Sequence, residues 1–290
     1  MTNKKIKYSH DQSPLFNIQT KKKLAEVLSH SLSDIKNMMD QYKNFYNVFV
    51  EKQNGKERKI EEPIKALRIL HNKISKLLAR ISPPDFLYCP VKGKSSVSNA
   101  EQHISNGELV KLDVRKYFPS TTFGRIFDFF LTRMNCSRDV AWILATLCTY
   151  EGHLPTGSPL SPYMSYYAHE PMWLRINELC NKAGYKMTVY MDDIAISAAK
   201  ISKKAIWQIK QEINKYGLKY HKGKSYGANK PKLLTGAVIK DGRLKLRSKH
   251  HLKIMKTERA LKACSDENEK KRLESSLKGL LAYQKQVEAT

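Results

Sequence analysis

The sequence is poor in acidic residues: 27 Asp and Glu stand against 52 Lys and Arg, which gives a formal net charge of +25. Such an excess favours a polyanionic partner, with nucleic acid as the first candidate and an anionic membrane as the second. A basic protein without such a partner is the third interpretation. Residues 201–290 hold 23 Lys and Arg against 8 Asp and Glu, so we expect the nucleic-acid contact in this last third.

Long apolar runs and paired cysteines are also missing. No segment reaches the roughly 18 consecutive apolar residues of a transmembrane helix, and the first ten residues, MTNKKIKYSH, lack the apolar stretch of a signal peptide. The five cysteines form no CxxC pair of the kind that binds zinc. These absences predict a reduced, soluble, cytoplasmic protein without a membrane partner.

Local patterns predict an α+β chain. Helices are expected at 21–30, 33–45 with Ser33 as N-cap, 63–81, 122–134, 137–150, 161–183 and 202–216, with two more in the basic tail 249–288. Strands are expected at 108–114 and in three hairpins: 46–63 turning at Asn54-Gly55, 185–198, and 232–248 turning at Asp241-Gly242. Residues 85–106 have the composition of a loop.

Two adjacent aspartates, Asp192 and Asp193, stand between apolar runs in TVYMDDIAIS, where like charges would repel at the tip of a hairpin. Asp113 ends the otherwise mostly apolar strand ELVKLDV, where an ionised carboxylate is costly unless it is paired or binds a metal. Carboxylates that converge from different strands are typical of a two-metal site for phosphoryl or nucleotidyl transfer. The alternative is a solvated turn with no metal.

Three segments in this order resemble the polymerase motifs of reverse transcriptases: KLDVRKYFPS from Lys111, LPTGSPLSP from Leu154, and YMDD from Tyr190. Five further segments extend the resemblance. RKIEEP from Arg58 is similar to a pattern of the fingers, and LKYHKGKS from Leu218 is similar to the segment after the palm. NAEQH from Asn99, LTG from Leu234 and GLLAYQKQVE from Gly279 resemble elements of the retron group.

The resemblance implies a right-hand polymerase fold. Its expected domains are N-terminal helices and fingers at 1–107, a palm at 108–240 with a finger-like helical insert at 122–150, and a basic helical thumb at 241–290. The implied catalytic and metal-binding residues are Asp113, Asp192 and Asp193. The implied cofactor is a pair of Mg²⁺ ions, with Mn²⁺ as an alternative.

The resemblance also implies a nucleotide site. Phe118 corresponds to the steric gate that disfavours a ribose 2′-hydroxyl, with Tyr117 as the alternative. Arg58 corresponds to a triphosphate contact, which Lys56 or Lys59 could replace. Gly157 would let the backbone approach the nucleotide. Lys224 would support the pyrophosphate side or the palm, unless it is a solvated lysine.

Candidate RNA contacts lie in two short motifs, at Asn99 and His103 in the first and at Thr235 and Gly236 in the second. For Asn99 and His103, a structural pair that packs the region before the palm is an equal alternative.

By resemblance, the chain would copy a structured noncoding RNA, using dNTPs, into a small RNA-linked single-stranded DNA (msDNA). Its other expected partners are that RNA and cDNA and an effector protein from the same locus, in anti-phage defence. Two alternatives stay open: another bacterial reverse transcriptase, of the group II intron or defence-associated kind, and a noncatalytic RNA-binding scaffold.

The chain departs from the usual family pattern at four positions. Met191 stands where Ala is common outside retroviruses, Thr156 replaces Gln, His221 replaces Asn and Leu234 replaces Val. None of these changes removes a carboxylate. Template preference and fidelity are therefore the properties expected to differ.

Overall fold

A computed structural model describes residues 7–53, 55–105 and 107–289. The α-helices in this part of the chain are α1 (Lys21–Leu28), α2 (Leu32–Asp40), α3 (Lys65–Leu78), α4 (Ser96–Glu101), α5 (Tyr117–Ser120), α6 (Phe123–Asp128), α7 (Arg138–Cys148), α8 (Ser161–Ala168), α9 (Glu170–Lys182), α10 (Lys203–Lys215), α11 (Ser248–Ala263) and α12 (Glu267–Glu288). The strands are β1 (Tyr46–Gln53), β2 (Lys56–Pro63), β3 (Leu87–Cys89), β4 (Glu108–Val114), β5 (Lys186–Tyr190), β6 (Asp193–Ala198), β7 (Tyr220–Tyr226), β8 (Lys232–Leu234), β9 (Ala237–Lys240) and β10 (Arg243–Lys245).

The strands form three sheets. β1 and β2 make an antiparallel hairpin, and β8, β9 and β10 make an antiparallel meander. The third sheet has five strands in the order β3-β5-β6-β4-β7. Its β3–β5 pair is parallel, whereas β5–β6 and β6–β4 are antiparallel. This mixture of helices and sheets confirms the predicted α+β class.

The chain divides into two compact units that each draw on several segments. The first takes the chain up to Asp85 together with Val114–Ile176 and Lys210–Tyr220. The second takes Phe86–Asp113, Asn177–Ile209 and the chain from His221 onward. The fingers, palm and thumb boundaries at 107/108 and 240/241 stay predictions.

Each unit has its own apolar core. In the first, the amphipathic α3 buries Leu67, Leu70, Ile74 and Leu78, and Trp173 is fully buried. In the second, α4 and β4 share a buried cluster with the meander and the two last helices. Because that cluster includes Ala195 of β6, the last helices and the sheet form one packed body.

Several turns follow the residue chemistry that predicted them. Gly55 has φ +76° at the β1–β2 turn, whereas its predicted partner Asn54 lies outside the described residues. At the β9–β10 turn, Asp241 and Gly242 both have positive φ, +54° and +72°, as the type I′ turn of a two-residue hairpin requires. α10 ends before Gly217, which has φ +76°. The strand at 108–114 and the two tail helices are confirmed.

The loop prediction for 85–106 is wrong. This stretch contains β3, which pairs in parallel with β5, and α4. α4 begins with a capping box, in which the Ser95 side chain accepts the Ser98 N–H and Ser98 bonds back to the Ser95 N–H. The two elements are only 3 and 6 residues long, too short for a periodic pattern to stand out in the sequence.

Three predicted helix boundaries are corrected. The helix at 161–183 is two helices, because Pro171 cannot continue the preceding turn and instead lies in the first turn of α9. α2 is capped by Ser31 rather than Ser33, through a capping box with Asp34. α3 begins at Lys65, since Pro63 is still paired with Tyr46 in the hairpin.

The cysteines are all free thiols. Burial raises the pKa of Cys136 to about 11 and that of Cys180 to about 12, and it also raises the pKa of Cys148 and of the half-buried Cys89. No helix among the described residues is long and apolar enough to cross a bilayer.

Candidate active site

The β5–β6 hairpin carries the paired aspartates, but only one of them lies in its turn. Tyr190 pairs with Asp193 as the last rung of the ladder, so the two-residue turn is Met191-Asp192. The prediction that both aspartates form the tip is therefore corrected. Met191 has φ +61°, a backbone conformation that is uncommon for a residue with a side chain. The turn thus obtains its positive φ without glycine.

Asp113 and Asp193 face each other across the β4–β6 ladder. Directly opposed residues of an antiparallel pair point to the same face of the sheet, at a Cα separation of roughly 4.5–5.5 Å. All three aspartates are half-buried. The fold therefore gathers Asp113, Asp192 and Asp193 at one end of two neighbouring strands, where two like charges oppose one another.

Lys111 is the cation that accompanies this pair. Its Nζ lies 3.9 Å from Asp193 Oδ2, and it stands two residues before Asp113 on the same face of β4. Burial raises the pKa of Asp193 above its usual range, while Lys111 acts in the opposite direction. Lys111 therefore offsets part of the negative charge of Asp193.

The donor chemistry of this site fits a hard cation. Carboxylate oxygens are what Mg²⁺ prefers, and Mg²⁺ is usually held by one or two carboxylates together with substrate phosphates rather than by an all-protein cage. The described residues contain no group of three or more His, Cys, Asp or Glu side chains that could hold a metal ion. Substrate phosphates would have to complete such a site.

His103 lies behind the hairpin and binds both of its strands. Its Nδ1 is 2.7 Å from Ser197 Oγ on β6, and its Nε2 is 2.7 Å from Thr188 Oγ1 on β5. The ring is 1% exposed, and burial lowers its pKa to about 3, helped by the positive charges of Lys186 and Lys232. Because both nitrogens are engaged inside the protein, the geometry favours the structural alternative for His103.

Asn99 is joined to the turn between β8 and β9. Its Nδ2 lies 3.4 Å from Thr235 Oγ1, and that hydroxyl donates to the Ser96 carbonyl at 2.6 Å. Thr235 has φ +42° and Gly236 φ +97°, so the turn places a β-branched residue in a left-handed conformation. The bonds from α4 hold this turn, which brings both short motifs together.

The last helix contacts the same turn and the same end of α4. A Cβ added to Gly236 would lie 3.0 Å from the Tyr283 hydroxyl, so α12 approaches here because this position is glycine. Gln286 Nε2 donates to Ser95 Oγ at 3.0 Å, at the N-cap of α4. α4 therefore contacts the β8–β9 turn and α12, and His103 just beyond its end bonds to the aspartate hairpin.

In the first unit, Tyr117 and Phe118 have different surroundings. Both lie in the short helix α5 rather than in a strand. The Tyr117 hydroxyl donates to the Ser165 carbonyl at 2.8 Å and accepts from Trp173 Nε1 at 3.1 Å, and Tyr117 is buried. Phe118 is half-buried. Tyr117 is thus held in the core by hydrogen bonds, whereas the side chain of Phe118 is partly accessible.

Arg58 and Lys59 on strand β2 are both exposed, but the amino group of Lys59 forms ion pairs with nearby acids. Lys59 Nζ lies 3.2 Å from Glu151 Oε2 and 3.3 Å from Glu61 Oε1, and these bonds raise its pKa. Glu61 is 2% exposed and also contacts His153 Nε2 at 3.2 Å. Of these two cations, Arg58 is the one left for a ligand.

Gly157 lies against the backbone of β2. Its N–H donates to the Glu61 carbonyl at 3.1 Å, and an added Cβ would lie 2.9 Å from that oxygen. Thr156, one of the four residues that depart from the family pattern, donates to the Lys59 carbonyl at 2.8 Å and accepts the Glu61 N–H at 3.2 Å. The Thr156 hydroxyl thus bonds to β2 as a neighbouring strand would, and Gly157 permits the close approach.

Lys224 lies on β7, the edge strand beside β4. Its side chain is exposed, and its amino group lies 4.9 Å from the centre of the Tyr226 ring. The side chain of His221, at the start of the same strand, lies outside the described residues.

Comparison with known families decides the assignment. A family model described as "Reverse transcriptase (RNA-dependent DNA polymerase)" matches residues 50–239. The chain belongs to the reverse transcriptase family. Reverse transcriptases use divalent metal ions, which agrees with the carboxylate chemistry of the site.

Curated relatives of this reverse transcriptase are retron enzymes. Retron Ec86 reverse transcriptase of Escherichia coli is 26% identical over 162 residues, covering 54% of this chain and 50% of the relative. Retron Se72 reverse transcriptase of Salmonella heidelberg (strain 579083-10) is 27% identical over 205 residues, covering 67% and 54%. The chain spans about half the length of these relatives. The predicted resemblance to retron-type reverse transcriptases is confirmed.

A buried histidine of this reverse transcriptase lies outside the motifs that the sequence patterns predicted. His71, on the apolar face of α3, is 0% exposed and holds the segment that carries LPTGSPLSP. Its Nε2 donates to the Leu147 carbonyl at 2.8 Å, and its Nδ1 accepts from Ser158 Oγ at 2.7 Å. A signal was present, because a histidine at a core-facing helix position needs buried partners.

Proposed function

We propose that this chain is a retron reverse transcriptase that copies a structured noncoding RNA into a small single-stranded DNA by two-metal nucleotidyl transfer. The observation that carries the proposal is the opposition of Asp113 and Asp193 across β4 and β6, with Asp192 in the adjoining turn. A noncatalytic scaffold would have no use for like charges placed on one end of a sheet.

In this proposal Asp113 and Asp192 hold the metal ions, and Asp193 supports them with its charge. Two Mg²⁺ ions bound there would lower the pKa of the primer hydroxyl and neutralise charge on the triphosphate. Lys111 stays close to Asp193 and limits the repulsion between the carboxylates while no cation is bound.

The remaining roles concern the nucleotide. Arg58 contacts the triphosphate through its planar fork of donors. Phe118 excludes a ribose 2′-hydroxyl, because Tyr117 is held by Ser165 and Trp173. Gly157 positions its loop against the fingers strand, and Lys224 supports the pyrophosphate side of the palm.

The wider retron role is proposed by similarity. The chain would form a right hand of fingers, palm and thumb, prime from a guanosine 2′-hydroxyl of its own RNA and leave an RNA-linked msDNA. It would act in the cytoplasm, in anti-phage defence, with an effector protein from the same locus.

Primer extension on an RNA template with Mg²⁺ and dNTPs tests the enzymatic part. Asp113→Asn and Asp192→Asn should each lower kcat by roughly 100-fold or more, because each removes a charged ligand without changing side-chain volume. Asp128→Asn, an exposed change in α6, is the matched control and should extend primers like the wild type. Equal activity of wild type and Asp192→Asn would exclude the proposed mechanism.

Nucleic acid that copurifies with the protein tests the retron part. A branched RNA–DNA hybrid that resists separation until the RNA is digested is the expected product. Only linear cDNA, or no bound nucleic acid, would assign the chain to another kind of reverse transcriptase.

Substrate selection tests the gate. Phe118→Ala should raise the kcat/KM for an NTP relative to the matching dNTP, whereas Tyr117→Phe should leave this ratio unchanged. If Phe118→Ala discriminates as well as the wild type, the gate lies at another residue.

A further inference from the structure

A polar cavity of about 330 Å³ lies in the second unit, and none of its lining residues belongs to the aspartate hairpin. It is formed by Ser105 before β4, by the segment before β8 and the first residue of β8, by β9 and by the β9–β10 turn. Its lining residues are Ser105, Asn229, Lys230, Lys232, Ile239, Lys240, Asp241 and Gly242. Three of these eight residues are lysines, which makes the cavity strongly basic.

Lys232 is the unusual member of this group. It is 2% exposed, and the hydrogen bond of its amino group is to the Ser105 carbonyl at 2.5 Å. No carboxylate among the described residues lies within salt-bridge distance of it. Burial lowers the pKa of this amino group. A buried ammonium without an acid is costly, so an anion in the cavity would stabilise its charged form.

The rim adds charge and donors to the cavity. Lys230 and Lys240 are exposed, and neither forms an ion pair with a described acid. The one acid of the lining, Asp241, is bound by Lys245 at 2.8 Å, which offsets its charge. Asn229 has φ +58° in the tight turn before Lys230 and adds an amide donor.

We infer that this cavity binds a phosphate group of the nucleic-acid backbone, through Lys230, Lys232 and Lys240. This inference rests on the proposed function, because it takes an RNA or cDNA strand as the source of the phosphate. The volume is about eleven times the roughly 30 Å³ that a water molecule occupies in the liquid, so the cavity can hold one phosphate together with several waters. The contact carries no base information and would add affinity regardless of sequence.

Binding of a fluorescent RNA hairpin at several salt concentrations tests the inference. The pair Lys230→Gln and Lys240→Gln, both exposed, should weaken binding roughly tenfold at physiological salt and reduce the slope of log affinity against log salt by about 1.4–1.8. The matched control, Lys203→Gln with Lys204→Gln, removes two exposed charges from α10 of the same unit. If the control pair weakens binding as much as the cavity pair, general electrostatics suffices and the site is refuted.

Lys232→Met gives a second test, because it keeps the buried stem and removes the charge. It should lower RNA affinity further and reduce the salt slope by roughly one more contact. Inorganic phosphate is the competing source of the same chemistry. If millimolar phosphate raises the melting temperature of the wild type only, while all variants bind RNA normally, the cavity takes a free anion and the backbone assignment is wrong.

The failure of this inference can be told apart from the failure of the proposed function. At saturating primer-template the cavity variants should keep the wild-type kcat, whereas Asp192→Asn should bind RNA normally and not extend. A wild type that extends primers, with cavity variants that bind RNA unchanged, would refute the cavity alone. A wild type that never extends primers would refute the polymerase activity. The salt dependence of RNA binding by the wild type and the cavity variants would still test the cavity.

Discussion

A buried histidine serves each unit of the molecule, and the two differ in the partners they hold. His71 of the first unit bonds to a backbone carbonyl and one hydroxyl, at Leu147 and Ser158. His103 of the second unit bonds to two hydroxyls, at Thr188 and Ser197. Both rings are almost fully buried, and burial lowers the pKa of His71 to about 4 and that of His103 to about 3.

The kind of partner decides how much freedom each ring has. A carbonyl only accepts, so His71 must carry its proton on Nε2, and Ser158 must donate to Nδ1. Hydroxyls donate or accept, so His103 satisfies Thr188 and Ser197 in either tautomer. The loop that carries Gly157 is thus held by a fixed donor pattern, whereas the aspartate hairpin is held by an adaptable one.

Truncation of either histidine to alanine should have the largest effect on stability, and its size should differ between His71 and His103. His71→Ala and His103→Ala should each lower the free energy of unfolding by about 2–4 kcal/mol, because each leaves a cavity and unpaired buried groups. His71→Ala should cost more, since the Leu147 carbonyl cannot turn away while hydroxyls can rotate to new partners. Urea denaturation measures both values. A larger loss at His103 would reverse the comparison.

Acid should destabilise the protein through the same rings. Their folded pKa values lie below the unfolded value of about 6.5, so below that pH the unfolded chain binds protons that the native state refuses. The contribution of each ring to the free energy of unfolding is fully present above about pH 6.5 and decreases as the pH falls. The decrease ends near pH 4 for His71 and near pH 3 for His103. Each ring contributes up to about 1.4 kcal/mol per pH unit.

Glutamine variants isolate this contribution from that of the acids. The difference in unfolding free energy between wild type and His71→Gln should change with pH only between about 6.5 and 4. The corresponding difference for His103→Gln should change with pH from about 6.5 down to about 3. His169, whose pKa burial lowers to about 3, is present in both variants and cancels. A difference that is flat between pH 6.5 and 4 would mean that the ring is not held neutral.

Removal of single hydroxyls should have the smallest effect. Thr188→Val and Ser197→Ala should each cost about 1 kcal/mol, because His103 can keep its other bond. Ser158→Ala should cost more, since Ser158 Oγ also accepts the Leu160 N–H at 3.1 Å. Thermal melts compare the three variants. Equal losses at all three positions would show that the extra bond of Ser158 contributes nothing.

The elements whose signals are local were predictable from the sequence. The strand that ends at Asp113 and the turn at Asp241-Gly242 were predictable because alternation and glycine chemistry act within a few residues. The order of three motifs was enough to identify the family. The opposition of Asp113 and Asp193 was not predictable, because strand register depends on the whole sheet.

Other features depend on contacts far along the chain. β3 exists because β5, about a hundred residues later, offers an edge for parallel pairing. Thr235 adopts positive φ because Ser96 and Asn99 hold it, which nothing in its neighbours indicates. Pro171 was a local signal that the helical periodicity on both sides of it obscured.

The raised pKa values of four of the five thiols should direct chemical labelling to one position. A maleimide reacts with the thiolate, which is scarce at neutral pH for Cys136, Cys148, Cys180 and Cys89, whose pKa values are raised. Cys264, half-buried between α11 and α12, is the remaining thiol. A fluorophore should therefore attach there without prior mutagenesis and report on the last two helices as nucleic acid binds.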